Sequence, residues 1–359
     1  MSRYWGLSKR ATVVVFAVVV VLGVGIAALT QSGGSSSPRS PRHALWAFGF
    51  VTLRFDPLHP GPPKRLEQQG YGSVLGVPGR VYFYEQLSGR VGRLDPETNR
   101  VEDLGQVPSG EAPADDALPA LAARAGDLWL VNRPGVLYRF DPAKGDGTGE
   151  VHLRAGDTAA ATDAEPGTTA VVTAAGAVIA VDSTATTVTV ARVDPGTAKV
   201  ARQAPLTVTG GTPPKIRGVA ASGATVWVVT DQEAIGLDAT TLAVQHRFPL
   251  AAGLSPLRGA AVARGGLFSI AADGSALVRI DLGSGGIRTV VQLLPAAPAQ
   301  FRLPSALAAG DGTVWAMVQR SRDVNDHAVR IAGWNARTGK PTVAVELPSS
   351  ASIGAITLS

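Results

Sequence analysis

Residues 126–142 read GDLWLVNRPGVLYRFDP, and the fold turns on this stretch. A glycine turn leads into a short apolar strand, GDLWLVN, and a hairpin ending in YRFDP follows it. Runs this short, rich in Val, Leu and aromatics and bounded by Gly, Pro and Asp, have the pattern of strands and turns, not the 3.6-residue periodicity of helices.

The same unit recurs on both sides. Its strand returns as HALWAFG, GRVYFYE, GAVIAVD, GATVWVV, GLFSIAA and GTVWAMV. Alignment stacks Trp46, Tyr82, Trp129, Ile179, Trp227, Phe268 and Trp315 in one column, which takes four of the six tryptophans in the chain. The hairpin returns as LRFDP, GRLDPET, ARVDPGT, IGLDATT, VRIDLGS and AGWNART, with Asp56, Asp95, Asp141, Asp194, Asp238, Asp281 and Asn335 in register. An Asx side chain at such a place accepts a hydrogen bond from the backbone two residues on and closes the turn. Two residues earlier stand Arg54, Arg93, Arg139, Arg192 and Arg279, replaced by Gly236 and Gly333 in the remaining units. Strand geometry puts this position and the Asx on one face, with the apolar residue between them on the other.

The column recurs at spacings of 36 to 50 residues, close to the ~40 to 50 of a four-stranded propeller blade. A small-residue strand precedes the glycine turn (IRGVAAS, LRGAAVA, PSALAAG) and an outer strand follows the Asx turn (TLAVQHRF, GIRTVVQL, PTVAVEL), which completes four strands per unit. Unit one has no such first strand before His43, while the segment Ser352 to Ser359 (SIGAITLS) is a first strand with no unit after it. Pairing the two closes the ring and removes an exposed edge. The expected fold is therefore all-β, a seven-bladed propeller over residues 44–359.

These units resemble the Tyr-Val-Thr-Asn (YVTN), virginiamycin-lyase-like and quinoprotein-like propeller repeats, which share an apolar strand with Trp or Tyr and a DP-x-TG-x-V hairpin. The resemblance covers residues 44–359 and implies the fold. Its members include lyases, lactonases, dehydrogenases, surface-layer proteins and subunits of assembly machines, so it does not choose a function. The lyase-like members carry a His and Glu constellation in the funnel that has no counterpart here. The quinoprotein repeats carry a docking Trp where RTGKPTVAVEL has Val and Leu.

Ahead of the propeller, residues 11–30 (ATVVVFAVVVVLGVGIAALT) hold no charge. As a helix rising ~1.5 Å per residue they reach across the ~30 Å hydrocarbon core. A cleaved signal peptide has a shorter apolar run, usually ~7 to 15 residues, and a small-x-small cleavage site; Ala28-Leu29-Thr30 is a poor one. An uncleaved signal anchor is expected. Arg3, Lys9 and Arg10 precede the span, so the positive-inside rule places residues 1–10 in the cytoplasm and the propeller outside the cell membrane, single-pass. Residues 31–43, rich in Gly, Ser and Pro, read as a flexible linker.

The charge distribution bears on partners. Arg3, Lys9, Arg10, Arg39 and Arg42, with no acid among them, account for the whole formal charge of +5, so residues 44–359 are formally neutral. That argues against a nucleic-acid partner, which requires a basic patch on the folded surface. Without cysteine there is neither a disulfide nor a thiolate metal site.

Catalytic signals are sparse. The five histidines stand singly, without the spacing that places two nitrogens on one metal. The acidic segments Gly145 to Glu150 and Asp323 to Asp326 could offer oxygens to Ca²⁺ or Mg²⁺, but they lack the Ca²⁺-loop pattern and read as turns. No cofactor is expected. The Arg column, repeating with the blades, reads as structure.

Function is then expected in loops that do not repeat, on the face made by second-to-third-strand loops and blade connectors. Four stand out: Gly105 to Ala117 with Asp115 and Asp116, Leu206 to Arg217 with Lys215, Leu293 to Pro304 with Phe301 and Arg302, and Arg320 to His327 with Arg320, Arg322 and Asp323. Sharing one rim, they would suit a protein, peptide or glycan. The expectation is a non-catalytic binding or scaffold protein. The rivals are a lyase or lactonase type enzyme working in the central funnel, and a component of a larger cell-envelope assembly.

Overall fold

Alternating apolar residues on short strands can be buried on both faces only if sheets stack, and seven four-stranded antiparallel sheets do so here. The computed structural model describes residues 44–49, 52–56, 62–66, 73–85, 88–108, 118–154, 167–209, 215–250, 257–271, 275–292, 307–310, 312–319, 329–347 and 353–358. Residues 11–30, where the membrane helix is expected, lie outside these; among the described residues there is no helix.

Blades two to seven each run in chain order from an innermost to an outer strand. Their innermost strands are Ser73–Val77, Leu121–Arg124, Thr168–Ala174, Ile216–Ser222, Leu257–Ala263 and Leu307–Gly310. Blade one takes its innermost strand, Ile353–Leu358, from the far end of the sequence and pairs it antiparallel with Leu45–Gly49. Each innermost strand touches the next, from Ser73–Val77 round to Ile353–Leu358 and back. The ring is closed as the two sequence anomalies required.

The aligned columns are partners in space. Trp46 pairs with Arg54, Tyr82 with Arg93, Trp129 with Arg139, Ile179 with Arg192 and Phe268 with Arg279 across neighbouring strands. Arg54 and Arg139 lie over the rings of Trp46 and Trp129, 5.5 and 5.9 Å from their centroids, a cation–π arrangement. In the two units without the Arg, Trp227 pairs with Gly236 and Trp315 with Gly333. There the indole occupies the space above the glycine: a Cβ on Gly236 would stand 2.8 Å from Trp227 Cη2. Trp227 reaches across to stack on His246 and Phe248 of the outer strand, at 5.6 Å in both cases.

Buried apolar side chains form seven groups, one between each pair of neighbouring blades. The column residue always faces the following blade. Trp129 packs with Val171 and Val178 of blade four, while Leu128 and Leu130 turn back to Tyr82 and Val91 of blade two.

The Asx column closes its turns as the sequence required. Oδ1 of Asp95, Asp141, Asp194, Asp238, Asp281 and Asn335 accepts backbone N–H groups two or three residues on. The residue four after each, Asn99, Gly145, Ala198, Leu242, Gly285 and Gly339, has φ between 53° and 72° and donates its N–H to the Asx carbonyl. The turn after Asp56 lies outside the described residues. One expectation needs correction: Asp146 to Glu150 is not a turn but belongs to the outer strand Asp146–His152, because the turn after Asp141 is completed by Gly145.

Candidate binding face

A four-stranded meander sorts its connections by face. First-to-second and third-to-fourth connections lie on one side; second-to-third loops and blade-to-blade connectors lie on the other. The first side is regular except at the connection 56–63 of blade one. Two-residue turns such as Ala125-Gly126, Ala175-Gly176 and Arg264-Gly265, each with both φ positive, join the inner pair of strands, the turn type whose twist suits a hairpin. The Asx turns join the outer pair.

The second side is irregular. The segments between blades are 67–72, 107–120, 153–167, 206–215, 250–256, 293–306 and 347–352. All four loops singled out in the sequence join strand ends of this side. Asp115, Asp116, Phe301, Arg302, Arg320, Arg322 and Asp323 lie outside the described residues, so only Lys215 has a described position, exposed at the start of Ile216–Ser222. The loop limits are corrected: Gly105 and Gln106 belong to the strand Val101–Gln106, and Ile216 and Arg217 to Ile216–Ser222.

Three polar groupings occupy this side where the strands of blades four to six end. At the junction of blades three and four, Arg154 Nε and Nη2 donate to Asp182 Oδ2 and Oδ1 at 2.8 and 3.0 Å. Thr169 Oγ1 donates to Asp182 Oδ1 at 2.6 Å and accepts from Gly135 N–H at 2.7 Å. The side chains of Arg154 and Asp182 are only 11% and 5% exposed. A buried, mutually satisfied set of this kind links blades and fixes the connector start.

In blade five, Glu233, 3% exposed, accepts from Arg247 Nη1 at 2.8 Å and from Thr209 N–H at 2.7 Å. Arg247 also donates to the Thr207 carbonyl at 2.7 Å. Together they pin the connector from blade four.

The third grouping lies at the innermost strands. Arg217 Nε donates to Asp231 Oδ1 at 2.6 Å. In the next blade Arg258 occupies the equivalent place, each arginine being followed by a glycine. A Cβ on Gly218 would stand 2.6 Å from the Gly259 carbonyl carbon, so the two strands touch beside the two arginines. Sequence reasoning quoted IRGVAAS and LRGAAVA as small-residue strands; their Arg-Gly pairs, absent from the other units, were the available signal.

The chain matches no protein-family profile and no curated protein sequence. Solved structures do resemble it. A Bacteroides fragilis protein described as a "putative 6-phosphogluconolactonase" aligns with a TM-score of 0.61 at 10% identity, over 90% of this chain and 100% of that one. A Bacteroides uniformis protein of the same description gives 0.60 at 14%, over 89% and 100%. BamB from Moraxella catarrhalis gives 0.48 at 15%, over 76% and 72%, a likeness too slight to carry an argument. At such identities the likeness concerns fold alone.

Proposed function

We propose that this chain is a membrane-anchored, extracytoplasmic propeller that binds a protein, peptide or glycan partner without converting it. The observation that carries the reading is the contrast between the propeller's sides: turns that repeat from blade to blade on one, with the connection 56–63 of blade one as the exception, and the longest and least alike connections on the other. Repetition serves the blades, whereas unequal loops on a rigid scaffold are where recognition is usually placed. The apolar segment 11–30 supplies the anchor and residues 31–43 the spacer.

Two experiments test it. The tagged full chain should partition with membranes and resist alkaline extraction, and a protease added outside intact cells should reach the propeller. Replacing residues 107–117, 208–215, 293–304 and 320–327 by short turns should abolish whatever co-purifies with the detergent-extracted protein. Partners that survive all four replacements would sink the reading.

A second reading, an enzyme of the lyase or lactonase type, draws on one observation: Arg217 pairs with Asp231 where the innermost strand of blade five begins, next to the contact of Gly218 with Gly259. Turnover of a lactone or glycan lost on substitution of Asp231 would favour it over the first.

A further inference from the structure

We infer that Arg217 and Arg258 form a seat for an oxyanion, the carboxylate or phosphate group of a ligand approaching along the propeller axis. This goes beyond docking on the rim, because it needs only the innermost strands of blades five and six.

The argument starts from repetition. Among the described innermost strands, arginine stands at this end position only at Arg217 and Arg258, and the two strands are neighbours. Both carry an irregularity there: the pairing register shifts between Ile216 and Gly218, and again between Arg258 and Ala261. A bulge re-aims the side chain beside it and is a recurrent device at binding sites. The touching of Gly218 and Gly259 brings the bulged segments together, and any side chain on Gly218 would prevent it.

The second bulge is held by a residue that breaks its own column. One place after the aromatic column stand Ala47, Phe83, Leu130, Ala180, Val228 and Ala316, but Ser269 in blade six. Ser269 is fully buried, and its Oγ lies 3.0 and 2.7 Å from the Arg258 and Gly259 carbonyl oxygens. A buried hydroxyl weakens an apolar layer unless it satisfies a polar group. Here its one proton, shared between the two carbonyls, ties down the backbone that carries Arg258, with Gly259 at φ 66°.

Finally, the two arginines differ in what they already hold. Arg217 is oriented by Asp231. Among the described residues Arg258 Nε is shielded from solvent and has no hydrogen-bond acceptor, and of the arginines with such a Nε it alone lies on an innermost strand. The guanidinium of Arg258, on a strand whose Gly259 touches Gly218 next to the pre-oriented Arg217, offers the planar fork that matches carboxylate and phosphate.

The test uses the full chain in detergent with inorganic phosphate as probe, against chloride at equal ionic strength. Phosphate should raise the melting temperature in a saturable way, and Arg258→Gln should weaken its half-saturating concentration about tenfold or more, whereas Arg65→Gln, an exposed change on blade one, should not. In the wild type, phosphate should also slow phenylglyoxal modification of Arg258, mapped by peptide mass, without slowing that of Arg65; this decides the matter if Arg258→Gln fails to fold. Equal effects of phosphate and chloride, an unaltered response in Arg258→Gln, or labelling without protection would overturn the seat. None of these measurements involves the rim partner, so the two ideas fail separately.

Discussion

Gly76 of blade two lies against the backbone of Leu358, so closely that a Cβ on the glycine would fall on the Leu358 carbonyl oxygen. Its N–H donates to Thr357 Oγ1 at 2.8 Å, and on the other flank Gly310 of blade seven faces the Leu358 side chain. Two glycines thus admit the closing strand between its neighbours. Gly76→Val should lower stability by about 3 kcal/mol by overpacking against backbone, and deletion of residues 353–358 should leave Leu45–Gly49 as an open edge that aggregates. Thermal melts and light scattering check both; a Gly76→Val protein that melts like the wild type would refute this closure.

The buried pair Arg154 and Asp182 joins blades three and four. Asp182→Ala should cost about 3 to 5 kcal/mol, since it strands a buried guanidinium. The double change Arg154→Met with Asp182→Leu should recover much of that loss in denaturant titrations. A double variant no better than the single one would show that the pair does more than satisfy itself.

Five turn aspartates, Asp95, Asp141, Asp194, Asp238 and Asp281, have their carboxyls held below the usual range. The leading cause is a hydrogen bond from a backbone N–H, except at Asp141, where Lys144 leads. With the folded value below the unfolded one, their stabilisation is complete above the unfolded carboxylate value and disappears as pH falls through the lowered values. Melting temperature should therefore drop in acid. Changing the five to Asn should flatten that drop by removing the charge-dependent stabilisation present at neutral pH, while the turns still form, because Asn335 already makes the same turn. Melts from neutral pH down to about pH 3 read both outcomes.

Gly236 looks like a lapse in the Arg column, yet restoring the consensus should harm the protein. Gly236→Arg would place atoms where Trp227 lies on its way to His246 and Phe248, with an expected loss of about 1 to 3 kcal/mol and altered tryptophan fluorescence. Unchanged stability would mean the indole moves aside freely.

Tyr84 is 1% exposed, its hydroxyl has no partner among the described residues, and burial pushes its phenol up to about 12. Tyr84→Phe should gain about 1 kcal/mol by removing an unsatisfied hydroxyl. Because the folded value exceeds the unfolded one, the wild type should also lose stability as pH rises from about 10 through 12, and the variant less so. A destabilised variant would reveal a hydrogen bond that the hydroxyl makes.

The blades were legible because they repeat. Trp46 and Arg54 sit eight positions apart in one unit and their counterparts recur, so alignment brought out both columns, and the register shows that they pair. Ring closure was legible for the same reason, as a missing strand at one end and a spare at the other. Arg154 and Asp182 were not, because they belong to different units and meet only when blades stack. Arg258 was in view but looked like part of a small-residue strand; its importance depends on a bulge and on Ser269, which hydrophobic patterning does not register. The rim stays the least legible part, since loops that obey no repeat offer nothing to align.

The closing strand also sets an order of events. Leu45–Gly49 is the first strand of the propeller to be synthesised and Ile353–Leu358 the last, so blades two to seven can each form from neighbouring sequence while blade one waits until residues 353–358 have been made. Until then the apolar strand Leu45–Gly49 stands with one edge unpaired, the condition in which nascent chains are most prone to join the wrong partner. Whatever guards this protein during its biogenesis has that single edge to protect.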